Sequence, residues 1–388
     1  MKARRRHEII WRCINPACRA AAKLIFRYSG DICREEGPLL IMANHNADLD
    51  PLLIAYSFPR AVYFVASEHI LRGKAGKFLR WATDIIPRQK GGSASTTVRG
   101  ILRHAQEGHD VCIFPEGNRS WDGVTRSVTL STGKLARTCG AKLVTYRTEG
   151  MYFSSPRWAG GSLRRGKAHG TIVGIYEPQY LKTLSTEQVQ AIIDRDLHEN
   201  AYERQRKKAI PFRGKRLAEH LETLLFTCPH CKAEGKMRSE DDMFVCDECG
   251  TRLRYTPEGF FVGENCIFDS VLDWRVWQDR RVREKCLAVG ENEPVFSDAD
   301  MELYNVDTGA GRRLAAVGTV TLYKDRLVLP DGTEIKTGCI KGMSVLGPQD
   351  LYFSSQGKNY LMRSNFIRCV SKYLTACSVF DNGLRYGI

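Results

Sequence analysis

PLLIMANHNADLDPLLIAYSF, residues 38–58, passes from one apolar run through a polar knot to a second apolar run that opens on proline. The first run, 38–43, has the length and composition of a buried strand. The second, 51–58, reads as a helix start, since the N–H that Pro51 lacks would be unsatisfied in a first turn anyway. Between them stand Asn44, His45, Asn46, Asp48 and Asp50. A strand that stops at such a knot delivers polar side chains to a surface. Taken alone, the knot also reads as a strand-to-helix turn with Asp48 or Asp50 capping the helix.

The same alternation continues outward. AVYFVAS (61–67) reads as a strand, GKAGKFLRWATD (73–84) as a helix, and STTVRGILRHAQEG (95–108) as a helix with Gly108 as its stop. DVCIFPEG (110–117) is a strand running into a turn; KLVTYRTEG (142–150) and RRGKAHGTIVGIY (164–176) supply two more strands. TEQVQAIIDRDLHENAYERQRKKA (186–209) reads as one long polar helix. Strands and helices taking turns imply an α/β domain with ligands at the strand ends.

Charge divides the chain. Residues 1–226 hold 37 Lys+Arg against 21 Asp+Glu, or +16, and residues 227–388 hold 21 against 23, or −2, which gives +14 overall. An anionic partner is therefore expected for the first part only. An apolar fraction of 43% and a charged fraction of 26% argue against disorder. No stretch approaches the ~20 apolar residues of a membrane span. The N-terminal apolar run is broken by Arg12, Pro16, Arg19 and Lys23, which argues against a cleaved secretory signal. A helix is expected after Pro16, with Arg19, Lys23 and Arg27 on one face. It would either lie on an anionic membrane or pack on its own domain with that face solvated.

After a basic connector, 211–225, the pattern changes. Cys228-x2-Cys231 and Cys246-x2-Cys249 have the spacing of a zinc ribbon, in which two hairpins present four thiolates to a closed, structural site. The ten other cysteines have no such spacing and read as small core residues in a reducing compartment. Runs such as TVTLYKDRLVL (319–329) and LYFSSQGKNYLM (351–362), with turns at DG and QGK, point to an antiparallel β domain closed by a helix over 365–378. Trp274 and Trp277 read as one packed helix face.

Three polar patches end the strands of the first part: NHNADLDP (44–51), DIIPRQKGG (84–92) with Arg88 and Lys90, and IFPEGNRSWDG (113–123). In this order, His-x4-Asp, Ile-Pro-Arg and FPEGNRS resemble the glycerolipid (lysophospholipid) acyltransferases of the 1-acyl-glycerol-3-phosphate type, over roughly residues 15 to 180. The resemblance implies transfer of an acyl group from acyl-CoA or an acyl-carrier protein to the hydroxyl of a lysophospholipid, with no catalytic metal. It makes His45 the base and Asp50 its orienter, and Arg88, Glu116, Gly117 and Arg119 the acceptor-binding residues. Asn44 and the neighbouring backbone would fix the turn or support the oxyanion. Ala47, Asn118 and the VTYRTEG stretch (144–150) depart from the family's usual serine, threonine and apolar proline element, which puts the acceptor's identity in doubt.

The expected architecture is α/β. A basic amphipathic helix (1–30) precedes an acyltransferase domain (31–215) with a mixed sheet flanked by helices. A zinc ribbon (226–256) and a small β-rich domain with a C-terminal helix (257–388) follow. The expected setting is peripheral, on the cytoplasmic face of an anionic membrane, with structural zinc and without nucleic acid. Rival readings are a different acceptor, such as glycerol 3-phosphate or an amino-lipid, and a non-catalytic zinc-ribbon scaffold that binds lipid.

Overall fold

The structure, a computed structural model, describes residues 2–67, 76, 78, 81–88, 95–307 and 311–380. Half of the helix expected over 73–84 lies outside the described residues, as do Lys90 and the Gly91–Gly92 pair. The chain forms two units: residues 1–156 with 163–213, and residues 157–162 with 214–388.

The first unit is built on β1 (Ser29–Gly30), β2 (Leu39–Ala43), β3 (Val62–Ser67), β4 (Ile86–Arg88), β5 (Asp110–Ile113), β6 (Lys142–Glu149) and β7 (His169–Tyr176). Their order is β1-β7-β6-β2-β5-β3-β4, parallel throughout except where β6 meets β7. The sheet is therefore mixed, as the alternating pattern implied. β2 lies at its centre, with all five residues buried. Leu40 and Met42 join one core with Val111 and Leu143, while Leu39, Ile41 and Ala43 join the other with Cys112 and Val144. A continuous apolar run is what a strand covered on both faces requires.

Helices α1 (Lys2–Phe26) and α2 (Asp50–Ser57) serve the second core. The first core is covered by α3 (Ser95–Gln106), α4 (Leu130–Thr138), the short α6 (Pro178–Thr183) and α7 (Thr186–Leu197), while Met151 of the short α5 (Met151–Ser154) joins a third cluster with Ala22, Phe26 and Leu53. α1 begins well before Pro16 and carries it inside. Tertiary contacts hold that first half: His7 meets the carbonyl of Val62 at 3.2 Å, and Trp11 is buried in the second core. Ala22 and Phe26 continue the buried stripe, while Arg27 lies beyond the helix end at φ +46°. α1 thus packs on its own unit. No helix among the described residues is long and apolar enough to cross a membrane.

The expected helix 186–209 is two helices. α7 stops at Leu197, and α8 (Ala201–Lys208) starts anew because the Asn200 side chain accepts the N–H groups of Tyr202 and Glu203. Such an asparagine cap satisfies otherwise orphaned donors and starts a helix wherever it occurs.

In the second unit, β8 (Met237–Glu240), β9 (Met243–Cys246), β10 (Arg252–Tyr255) and β11 (Phe261–Val262) form an antiparallel sheet. Helix α9 (Val271–Ala288) follows, capped by Ser270, with Trp274 fully buried and Trp277 half-buried. A separate antiparallel sheet is built of β12 (Phe296–Asp307), β13 (Gly311–Leu322), β14 (Arg326–Val328), β15 (Glu334–Lys336), β16 (Lys341–Leu346), β17 (Asp350–Ser355) and β18 (Lys358–Ser364). Its order is β15-β14-β13-β12-β18-β17-β16, and α10 (Ser371–Phe380) follows it. The stretch expected as a connector is core instead, since Leu217, Ala218, Leu221, Leu224 and Leu225 are all buried. Trp158, from the 157–162 segment, packs edge-on against Tyr255 with 5.6 Å between ring centroids. Cys13 departs from the core reading of the unpaired cysteines: it is exposed on α1, whereas Cys33, Cys112, Cys139, Cys286, Cys369 and Cys377 are buried.

Candidate active site and metal centre

Parallel pairing brings the carboxyl ends of β2, β5, β4 and β6 to one rim of the first unit's sheet. His45 sits two residues beyond β2. Its Nδ1 lies 2.8 Å from Oδ2 of Asp50, which also accepts the backbone N–H groups of Asn46 at 2.7 Å and Ala47 at 2.9 Å. Asp50 is fully buried. Neither acid caps α2 through its side chain; Asp50 instead closes the turn onto the imidazole. A carboxylate at Nδ1 keeps the proton there and leaves Nε2 as the basic nitrogen. Nε2 has no hydrogen-bond partner among the described residues. The ring stacks on Phe114 with 4.4 Å between centroids.

The FPEGNRS stretch locks onto this turn at three points. Glu116 Oε1 accepts the His45 N–H at 2.7 Å, Ser120 N donates to the His45 carbonyl at 2.9 Å, and Arg119 Nε meets Asp48 at 3.1 Å. Glu116 Oε2 accepts the N–H of Arg126 at 3.2 Å. Glu116 therefore holds backbone on both sides. Gly117 has φ +74°, and a Cβ there would come within 2.8 Å of Arg88 Nη1, so the glycine admits the guanidinium. Arg88 thus arrives from β4 against the same turn. Burial lowers the Arg119 guanidinium pKa, with Asp48 opposing, and partial desolvation against the turn lowers that of Arg88, whose side chain stays exposed.

Asn44, fully buried, fixes the turn. Its Oδ1 accepts the N–H of Thr148 at 2.7 Å and that residue's hydroxyl at 3.1 Å, while its Nδ2 donates to the Thr148 carbonyl at 2.9 Å. Thr148, Thr125 and Glu199 are site residues that the sequence reading missed. Arg147, the cation in the departing VTYRTEG stretch, reaches the carbonyls of Asp196 at 3.4 Å and His198 at 3.5 Å.

Burial pushes Glu116 up to about 8, against the opposing pull of its two N–H donors and of Arg126. Since the folded value exceeds the ordinary 4.5, its stabilising contribution is complete below about pH 4.5 and is lost as pH rises through about 8. Glu116→Gln is expected to narrow the difference in Tm between pH 5 and pH 9 by roughly 2–8 °C. Thermal melts at the two pH values check this, and an unchanged difference would show that Glu116 does not titrate in this range.

The four paired cysteines converge in the second unit. Their sulfurs all lie within 4.8 Å of one another, with Cys228 to Cys249 at 3.8 Å and Cys231 to Cys246 at 3.7 Å. A tetrahedral zinc with Zn–S bonds of about 2.3 Å places its sulfurs about 3.8 Å apart, so the set fits that ion. The two knuckles are alike: the residue after the second cysteine, Lys232 or Gly250, is left-handed in each, at φ +68° and +72°. Four sulfur donors would leave a bound zinc no open position, as in a structural site.

Residues 25–148 match the Acyltransferase family. That segment contains His45, Asp50, Arg88 and the FPEGNRS stretch, and its sheet carries an acyltransferase-like α/β fold. A curated relative, 1-acyl-sn-glycerol-3-phosphate acyltransferase from Borreliella burgdorferi (strain ATCC 35210), is 27% identical over 141 residues, or 35% of this chain. The chain spans about half of that relative, 56% of its length. The solved 1-acyl-sn-glycerophosphate acyltransferase of Thermotoga maritima aligns with a TM-score of 0.42 at 18% identity, over 49% of this chain and 79% of that one.

Proposed function

We propose that this protein is an O-acyltransferase of phospholipid biosynthesis. It moves a fatty acyl group from an acyl-CoA or acyl-carrier-protein thioester to the free hydroxyl of a lysophospholipid, 1-acyl-glycerol 3-phosphate first. The observation that carries the reading is the His45–Asp50 pair at 2.8 Å, clamped by Glu116 through the His45 N–H at 2.7 Å. The similarity of residues 25–148 to acyltransferases supports it.

The hydroxyl oxygen attacks the thioester carbonyl as Nε2 of His45 takes its proton. Collapse of the tetrahedral intermediate breaks the carbon–sulfur bond, and the thiolate recovers the proton from the imidazolium. One ester forms, one thioester breaks, and no redox partner enters. Asp50 keeps the imidazole in one tautomer and stabilises its cation. Arg88 and Arg119 are suited to the acceptor's phosphate, because a guanidinium can meet two phosphate oxygens through charge-assisted bonds. The first part's excess of +16 suits an anionic membrane surface, to which the protein would bind peripherally from the cytoplasmic side. The four cysteines would hold a structural zinc and take no part in the chemistry.

Thiol release from an acyl-CoA, with and without 1-acyl-glycerol 3-phosphate, tests the reading. Release that depends on the acceptor supports it, and silence across CoA and carrier-protein donors with a panel of lysolipids would overturn it in favour of a binding protein. Arg119→Ala is expected to raise the acceptor KM about tenfold or more with a smaller change in kcat, the pattern of a lost binding contact. Unchanged kinetics with phosphate-bearing acceptors would remove Arg119 from the site.

A further inference from the structure

Glu199 sits in the break between α7 and α8 and is only 6% exposed. Its backbone brackets Thr125, just past the FPEGNRS stretch: Glu199 N donates to Thr125 Oγ1 at 3.1 Å, and Thr125 N donates to the Glu199 carbonyl at 3.0 Å. Oε1 of Glu199 meets Arg204 Nε at 3.0 Å. Oε2 faces the side-chain amides of Asn44 at 3.5 Å and Asn46 at 3.4 Å, the two neighbours of His45. These last contacts are long, but both amides are buried, and the Glu199 carboxyl group gives them an acceptor where water is scarce. From Asn46 the connection to the imidazole is short, because the Asn46 N–H donates to the same Asp50 oxygen that holds His45 Nδ1.

The VTYRTEG departure accounts for how Glu199 reaches this place. Thr145 Oγ1 donates to Asp196 at 2.8 Å, and the Tyr176 hydroxyl donates to the same oxygen at 2.6 Å. Arg147 covers the carbonyls of Asp196 and His198 at the end of α7, where a cation suits the helix terminus. The residues that replace an apolar element on β6 are thus engaged in holding 196–198, and the next residue is Glu199. The segment that matches the family ends at residue 148, before any of this helix-side framework.

The geometry points to Glu199 as the positioning residue of the His45 turn, anchored through Thr145 and Arg147 and acting on the imidazole through Asn44 and Asn46. The assignment rests on the reading of His45 as the group that transfers the proton. Glu199 itself takes no proton from the hydroxyl; it restrains the two residues that flank the base. The departure on β6 is then part of the restraint and selects no head group.

Glu199→Gln puts an N–H2 group where either Arg204 or the two asparagine amides need an acceptor. Its kcat is expected to fall about tenfold with the acceptor KM within twofold of wild type. Glu187→Gln, an exposed change on α7, is expected to alter neither. Nitrogen-15 spectra of the histidine rings supply a readout that needs no turnover. In wild type, His45 is expected as the Nδ1–H tautomer, and in Glu199→Gln as a mixture of tautomers. Arg147→Met is expected to give the same kcat loss and the same spectral change, and the double variant is expected to be no worse than the more severe single one. Wild-type kcat and a single tautomer in well-folded Glu199→Gln would overturn the proposal, as would a loss confined to KM. If Glu199→Gln does not fold, Arg147→Met carries the test by the same two readouts. A wild type inactive with every donor would count against acyl transfer, while the tautomer shift would still report on Glu199.

Discussion

His45→Ala is expected to lower the acceptor-dependent rate by about 10²–10⁴-fold, the range that a positioned general base contributes. The loss should fall on kcat and leave the fold intact. The imidazole is 21% exposed, the Glu116 clamp is made through the His45 backbone N–H, and Asp50 keeps the N–H groups of Asn46 and Ala47. Tm is accordingly expected to move by only a few degrees. Asp50→Asn should give a loss of similar order for a different reason. The amide retains the shape of the turn, but it sets an N–H2 group against donors or stabilises the wrong imidazole tautomer. Steady-state kinetics on both variants, with thermal melts beside them, make the check. Near wild-type turnover in His45→Ala would remove the base from this site.

Replacing Cys228 and Cys249 together by serine is expected to release one zinc per chain and to unfold the β8–β11 ribbon. Structural zinc contributes apparent binding energies of about 10–16 kcal/mol in small fingers, far more than four short strands gain by packing alone. Trp274 provides the readout. Its Nε1 donates to the Thr227 carbonyl at 3.0 Å, one residue from Cys228, and its ring packs on Phe244 of β9 and Phe261 of β11. Chelation of the wild type should shift its fluorescence to the red in step with loss of metal. Absence of zinc by elemental analysis of the untreated protein would overturn the assignment.

The strand, turn and helix of 38–58 were legible because every local signal agreed: an apolar run covered on both faces, a polar knot and Pro51 in the first helical turn. The His45–Asp50 contact was legible through the family resemblance that NHNADLDP and FPEGNRS carry together, and the cysteine set through its paired repeats. The part played by Glu116 was harder to see. Its stretch reads as a turn, and nothing in FPEG says that the carboxylate will grip the His45 backbone from 71 residues away. The early start of α1 was hidden because Pro16 argues for a boundary, and only burial of Trp11 and His7 overrides it. The break at 198–200 did carry a local sign, since Asn200 followed by Glu203 at the third helical position is a start signal. The mostly polar character of the residues on both sides concealed it.

The 157–162 segment bears on how the chain is made. Trp158 has no exposure in the folded protein, and its neighbour Tyr255 follows it by about a hundred residues. At the ~5–20 residues per second of translation, the indole leaves the ribosome roughly 5–20 s before that neighbour exists. The 157–162 segment is thus made well before the rest of its own unit. A nascent chain that ends near residue 213 would hold the seven strands of the first sheet while the Tyr255 ring that packs on Trp158 is still missing. Speed of elongation through residues 214–255 then sets how long Trp158 waits for that ring.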